Sequence, residues 1–187
     1  MKSVLLLVVL CCTLGLQAQT PVQNFSLTNA SDGGQVSLDS YKHSAIVILF
    51  TSNACPYDTY YTERIRSLIN TYLEKVPFIL INSYQEPDES VEKMKLAIDK
   101  WNFHAPYLAD KNQVVMEQLG AKKSPEAFLL SGSPGKYKIV FHGAIDDNAQ
   151  SAEAVTTHYL KAAIDNVLAG RSETTTARVV GCTIRKK

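Results

Sequence analysis

Cysteine is scarce in this chain, with four among 187 residues: Cys11, Cys12, Cys55 and Cys182. None stands with histidine at zinc-ligand spacing, and His43, His104, His142 and His158 lie far apart, so no metal centre is expected. An excess of charge is missing too. Lys and Arg number 19 and Asp and Glu 18, a net charge of +1. That balance removes the electrostatic case for a nucleic-acid partner or an anionic membrane surface. The basic end Arg185-Lys186-Lys187 reads as a solvated terminus. No motif implies a nucleotide or a flavin, so no cofactor is expected. Without repeats, heptads or a linker the chain reads as one domain. Its 45% apolar composition is enough for a sizeable core.

A run long enough to span a membrane is also lacking. The apolar stretch from Val4 to Leu16 follows Lys2 and gives way to Gln17-Ala18. As a helix it reaches roughly 20 Å at about 1.5 Å per residue, short of a ~30 Å hydrocarbon core. It reads as a signal peptide over residues 1–18, cleaved after Ala18. A domain over 19–170 then follows, and a tail over 171–187 that carries Cys182. Lipid anchoring at Cys11 or Cys12 is the weaker alternative, because Leu10 and Cys11 stand where a small residue is wanted. Cleavage leaves Cys55 and Cys182, with no membrane span. A secreted or periplasmic chain meets an oxidising compartment, where such a pair can persist as a disulfide.

Turning to what is present, the patterning alternates strands with helices. Phe25-Ser26-Leu27 and Val36-Ser37-Leu38 flank Gly33-Gly34 as a hairpin. Ala45 to Phe50 and Phe78 to Ile81 read as buried strands. Tyr61, Ile65, Leu68 and Tyr72 fall on one helical face, as do Val91, Met94, Ile98 and Trp101 behind an N-cap at Ser90. A short strand at Tyr107-Leu108-Ala109 and a brief helix through Val115 and Leu119, closed by Gly120, come next. Ala127 to Leu130 and Tyr137 to Phe141 form an antiparallel hairpin, expected at the sheet edge. Leu160, Ile164 and Val167 mark the last helix, with Gly170 beyond it. The order implies an α/β fold with a partly parallel sheet.

One stretch organises the chemistry: Thr51-Ser52-Asn53-Ala54-Cys55-Pro56-Tyr57-Asp58, between a buried strand and a long helix. A cysteine there faces the unpaired N–H groups and positive dipole end of the helix, which favour its thiolate. Pro56 suits the first helical position. Asp58, one turn in, stabilises a helix start but partly opposes the thiolate. Asp146-Asp147 read as a capping turn without chemistry.

This order, with Cys55 at the first strand-to-helix turn and Ser124-Pro125-Glu126 before the late hairpin, resembles the thioredoxin fold. The N-terminal hairpin and the long stretch 82–115 look more like its redoxin and peroxiredoxin-like (AhpC/TSA-like) branch. Asn53-Ala54-Cys55-Pro56-Tyr57, Pro106-Tyr107-Leu108-Ala109-Asp110, Gly143-Ala144-Ile145-Asp146-Asp147 and Gly181-Cys182-Thr183-Ile184 carry that resemblance over essentially the whole mature chain. It implies a central mixed sheet flanked by helices, with the hairpin as an extension, and a cis peptide at Pro125.

Departures from the pattern bear on activity. A thioredoxin has a second cysteine where this chain has Asp58, so no local disulfide can form with Cys55. A typical peroxiredoxin has proline and threonine where Ile48 and Ser52 stand, and an arginine for which Lys122 and Lys123 are the candidate stand-ins. The resemblance implies an exported thiol oxidoreductase, Cys55 attacking a hydroperoxide or a disulfide and Cys182 or an external thiol resolving the product. Ser52, Pro56, Tyr57, Lys123 and Pro125 would line the substrate site, and reducing equivalents would come from another thiol protein. Two alternatives stay open: a one-cysteine disulfide exchanger, and a binding module that keeps the fold without the chemistry. Cys182 itself reads as that resolving thiol, as half of a static bridge to Cys55, or as an unpaired thiol, and any bridge requires Cα atoms within about 7 Å.

Overall fold

The computed structural model describes residues 20–171 and 174–187. The leader read over residues 1–18 lies outside them. In chain order the elements are β1 (Ser26–Asn29), β2 (Gln35–Ser37), β3 (Ala45–Phe50), α1 (Pro56–Tyr72), β4 (Phe78–Asn82), α2 (Val91–Trp101) and β5 (Tyr107–Ala109). They continue as α3 (Val114–Leu119), β6 (Lys123–Ser124), β7 (Glu126–Ser131), β8 (Lys138–Gly143), α4 (Tyr159–Leu168), β9 (Thr175–Thr176) and β10 (Cys182–Thr183). Among the described residues, eight strands form one sheet in the order β2-β1-β5-β4-β3-β7-β8-β9, and β6 pairs with β10 separately.

Strand β3 is central, with all its residues buried, parallel to β4 and antiparallel to β7. Its side chains alternate between the two faces of the sheet. Ala45, Val47 and Leu49 pack with Tyr61 and Ile65 of α1, Met94 and Ile98 of α2, and Leu160 and Ile164 of α4. Ile46, Ile48 and Phe50 pack on the other side with Val115 and Met116 of α3, Tyr137, and Ile184 of the tail. Cover on both faces is why the strand reads as an unbroken apolar run. The fold is the expected mixed α/β sheet flanked by helices. Its hairpin extension β1-β2 joins the sheet through β1 and β5.

Local signals act as their chemistry requires. Ser90 caps α2 by accepting the Lys93 N–H, and Gly120 ends α3 in the left-handed region. Two details depart from the pattern-based reading. On α1 the row Tyr61, Ile65, Ile69 and Tyr72 faces the sheet, while Leu68 is only partly buried against that core. The β7-β8 hairpin is not the sheet edge, because β9 from the tail adds parallel to β8. Gly143 permits that approach, since a Cβ there would overlap the backbone of Ala177.

Candidate active site

Strand β3 runs directly into the turn that presents Cys55 as the N-cap of α1, with Pro56 at its first position. Cys55 is 4% exposed. Its partner arrives from the other end of the chain. In β10, Cys182 pairs with Ser124 and Thr183 with Lys123, antiparallel. Directly opposed residues in an antiparallel pair project to the same face. The pairing therefore sets the Cys182 side chain beside that of Ser124, over the start of α1. The two sulfurs are bonded at 2.00 Å, with Cα atoms 6.0 Å apart and 127 residues between them in sequence. Cys55 Sγ also lies 3.5 Å from the Ser124 carbonyl oxygen. The Ser124-Pro125 peptide is cis, as the thioredoxin resemblance implied.

The tail is held by more than the disulfide. The Tyr84 hydroxyl donates to the Cys182 carbonyl at 2.9 Å, and the Ile184 N–H donates to Lys122 O at 2.9 Å. Gln113 Nε2 donates to the Arg185 carbonyl at 2.7 Å, and the Lys187 N–H donates to Gln113 Oε1 at 2.7 Å. Ile184 is buried in the second core. Gly181 admits the strand, because a Cβ there would overlap the Ser124 carbonyl.

The turn before Cys55 is closed by a buried carboxylate. Glu89 accepts from the Ser52 hydroxyl, from Asn53 N–H at 2.9 Å, from Ala54 N–H at 3.1 Å and from Asn82 Nδ2 at 2.7 Å. The Ser52 hydroxyl in turn accepts from Cys55 N–H at 3.0 Å. Ser52 is thus buried inside the turn, engaged with protein groups on both sides. Lys111 lies behind this cluster, donating to Glu89 O, Asn82 Oδ1 and Tyr84 O. Burial pulls its amine down to about 8, against the opposing fields of Glu89 and Asp110.

Asp58 is buried under the same site, 3% exposed. It accepts from Thr51 Oγ1 at 2.6 Å and from the Ser124 hydroxyl. Desolvation raises its carboxyl to about 7, against those hydrogen bonds, and Glu89 adds to the rise.

The other residues singled out from the sequence fall as follows. Pro125 is buried directly after Ser124, and Lys123 pairs through its backbone with Thr183 and donates its N–H to Glu126. Pro56 is exposed at the helix start. Tyr57 is partly exposed, its ring edge-on to Tyr60 at 6.2 Å. Asp146 is no simple cap: it accepts from Arg64 Nη1 at 2.7 Å and from the Tyr61 hydroxyl at 2.8 Å.

Sequence reasoning left out Tyr84 and Glu89, and it had Ser124 and Gly181 only as parts of the motifs that carry the resemblance, with no role of their own. Nothing in the polar run Glu86-Pro87-Asp88-Glu89 singles out Glu89. Gly181 directly before Cys182 was the one available hint, since a glycine beside a reactive residue often marks close backbone approach.

A thioredoxin-type sheet, a cysteine at the first helix start, and a second cysteine bonded to it beside a cis-proline define a thiol oxidoreductase of thioredoxin fold. Residues 18–147 match the AhpC/TSA family, and the chain belongs to it. An uncharacterized conserved protein from Geobacillus kaustophilus is 30% identical, with a TM-score of 0.80 over 90% of this chain and 92% of that one. A hypothetical protein from Sinorhizobium meliloti 1021 is 28% identical, with a TM-score of 0.79 over 90% of this chain and 94% of its own. A secreted disulfide oxidoreductase from Mycobacterium tuberculosis shares the fold at 17% identity, with a TM-score of 0.54 over 69% of this chain and 88% of that one. No curated protein matches the sequence significantly.

Proposed function

We propose that this protein is an exported thiol–disulfide oxidoreductase in which Cys55 attacks and Cys182 resolves. The observation that carries the reading is the Cys55–Cys182 bond, made between the start of α1 and a tail strand docked on β6. In the reduced protein the Cys55 thiolate attacks one sulfur of a substrate disulfide. The substrate S–S bond breaks with its other sulfur leaving as a thiolate, and a mixed disulfide forms. Cys182 then attacks the Cys55 sulfur, the substrate leaves as a thiolate, and the internal disulfide closes. An external dithiol resets the pair: its first thiolate attacks Cys182, the less buried of the two residues. Cys55 leaves as the thiolate that the helix start stabilises. The second thiolate then attacks the reductant sulfur so bound, which frees Cys182 as a thiolate and closes the reductant's own disulfide.

A disulfide is favoured over a hydroperoxide by the polar groups around Cys55. The Ser52 hydroxyl and the N–H groups of Asn53 and Ala54, which a peroxide oxygen would use, are taken by Glu89. A hydroperoxide is the second reading, favoured by the same resolving geometry, which also suits a sulfenic acid on Cys55.

Thiol counting tests the cycle. One equivalent of a small disulfide should remove both thiols of the reduced protein together, faster than one equivalent of hydrogen peroxide does. Cys182→Ser should stop at a persistent mixed disulfide on Cys55. Loss of a single thiol in the wild type would indicate the one-cysteine cycle, and loss of neither would indicate a binding module. For export, the protein recovered outside the cytoplasm should begin at Gln19 by mass.

A further inference from the structure

The carboxylate of Asp58 has no part in the cycle above, yet it sits under the reacting sulfurs. It is buried in the first turn of α1 and bonded to Thr51 and to the Ser124 hydroxyl. Ser124 is the residue on which both sulfurs converge. Its carbonyl touches Cys55 Sγ, and its side chain shares a face with Cys182 across the β6-β10 pair. Register thus sets the Cys182 side chain on the face of the β6-β10 pair from which Ser124 Oγ donates to Asp58 Oδ2. A proton acceptor on that face is what a resolving thiol needs, because only its thiolate attacks.

We propose that Asp58, acting through the Ser124 hydroxyl, is the positioning residue that accepts the Cys182 proton as the disulfide closes. The inference rests on the exchange reading above. In the closing step, the Cys182 proton passes to Ser124 Oγ while the Ser124 proton passes to the Asp58 carboxylate. The Cys182 thiolate forms the bond to Cys55, the bond from Cys55 to the substrate sulfur breaks, and the substrate thiolate leaves with that electron pair. When the external dithiol later frees Cys182 as a thiolate, the proton on Asp58 returns by the same route. No net proton is left on the protein over a full cycle.

The surroundings suit a group that exchanges a proton at neutral pH. Glu89 faces Asp58 from the turn after β4, Tyr84 from the segment before it and Tyr107 from β5. Burial, first of all, holds both phenols above their ordinary value, so neither competes for the proton near pH 7. Lys111, the amine of this cluster, is bonded to Glu89, Asn82 and Tyr84. Among the described residues no basic side chain bonds Asp58 to lock it in the ionised form. Its carboxyl titrates near 7, so both proton-accepting and proton-donating forms are present.

The test uses the full protein with 5-thio-2-nitrobenzoate attached to Cys55, and reads release of that coloured thiol as Cys182 closes the bond. In the wild type the closure rate should rise through an inflection in the neutral range. Asp58→Asn should lose that inflection and close at least ~10-fold more slowly at pH 7, with rate recovered as alkali ionises Cys182 directly. Ser124→Ala should show the same change, and Asp58→Glu should restore part of the inflection. Wild-type rate and pH profile in Asp58→Asn overturn the proposal. Should that variant fail to fold, carboxyl NMR of Asp58 in the wild type decides. Its midpoint must differ between the oxidised and reduced proteins, and equal midpoints overturn the proposal. Failure of the exchange reading looks different: no coloured thiol leaves even the wild type, and this proposal falls with it.

Discussion

Two buried carboxylates lie within one turn of Cys55 or against its loop, and they do opposite things. Glu89 collects a hydroxyl, two backbone N–H groups and an amide, a set that only an acceptor can satisfy. Glu89→Gln would turn an NH2 toward one of those donors, costing on the order of 1–3 kcal/mol for a buried polar group left unsatisfied. Chemical denaturation would measure it, and unchanged stability would contradict this account of the turn. Asp58 has fewer donors and no cation, so desolvation prevails and raises its carboxyl from 3.8 to about 7. Between those values the folded chain holds a proton that the unfolded chain has released. The stability Asp58 contributes is therefore full below about pH 4 and is lost as pH rises through about 7. Against Asp58→Asn, which has no such proton, the wild type should lose stability from pH 4 to 7.5. A urea midpoint difference between the two that stays flat or rises over that range would show the carboxyl is not raised.

At the scale of elements, β10 does what no helix or core strand does: it brings the distant cysteine to β6. Its docking depends on the missing side chain at Gly181, whose Cβ would overlap the Ser124 carbonyl. Gly181→Ala should therefore slow closure of the Cys55–Cys182 bond by about tenfold or more, on the scale of 1.4 kcal/mol per decade. The reaction of Cys55 with a small disulfide should be left nearly unchanged. Rapid quenching with alkylation separates the two steps, and equal slowing of both would point to a general loss of structure instead. Tyr84→Phe should act in the same direction but more weakly. It deletes one hydrogen bond to the Cys182 carbonyl, worth about 1 kcal/mol net.

For the molecule as a whole, the disulfide closes a loop of 127 residues around nearly the entire sheet. In the chain-entropy account a loop of that size stabilises by roughly 5 kcal/mol. Reduction should accordingly lower the melting temperature, yet leave the two cores around β3 assembled, since their contacts hold without the tail's sulfur. Hydrogen exchange offers a finer reading. On reduction, protection should fall in residues 181–187, first at the Ile184 N–H that donates to Lys122 O, while β3, β4 and β7 keep theirs. A uniform loss of protection across the sheet would mean that the tail is part of one cooperative unit rather than a detachable strand.

Local chemistry and periodicity by themselves determined the α/β order, the central strand at Ala45–Phe50, the Ser90 cap, the Gly120 stop and a cysteine at a helix start. Each of these is a short-range property, written within a few residues of where it acts. Pairing between distant segments was not legible in that way. Thr175-Thr176 and Cys182-Thr183 are too short and too polar to announce strands, and only an exposed edge on β8 and on β6 gives them partners. Nothing in the neighbourhood of Glu89 says that the Ser52–Ala54 turn will close over it. Asp58 read as a helix-start acid, which it is, but its burial comes from Thr51 and Ser124 folding above it. The distance that mattered most, 6.0 Å between the α-carbons of Cys55 and Cys182, was decided by tertiary structure alone. It is a sum over the whole chain path, and it exists because Gly181 lets a polar tail lie against the residue before a cis-proline.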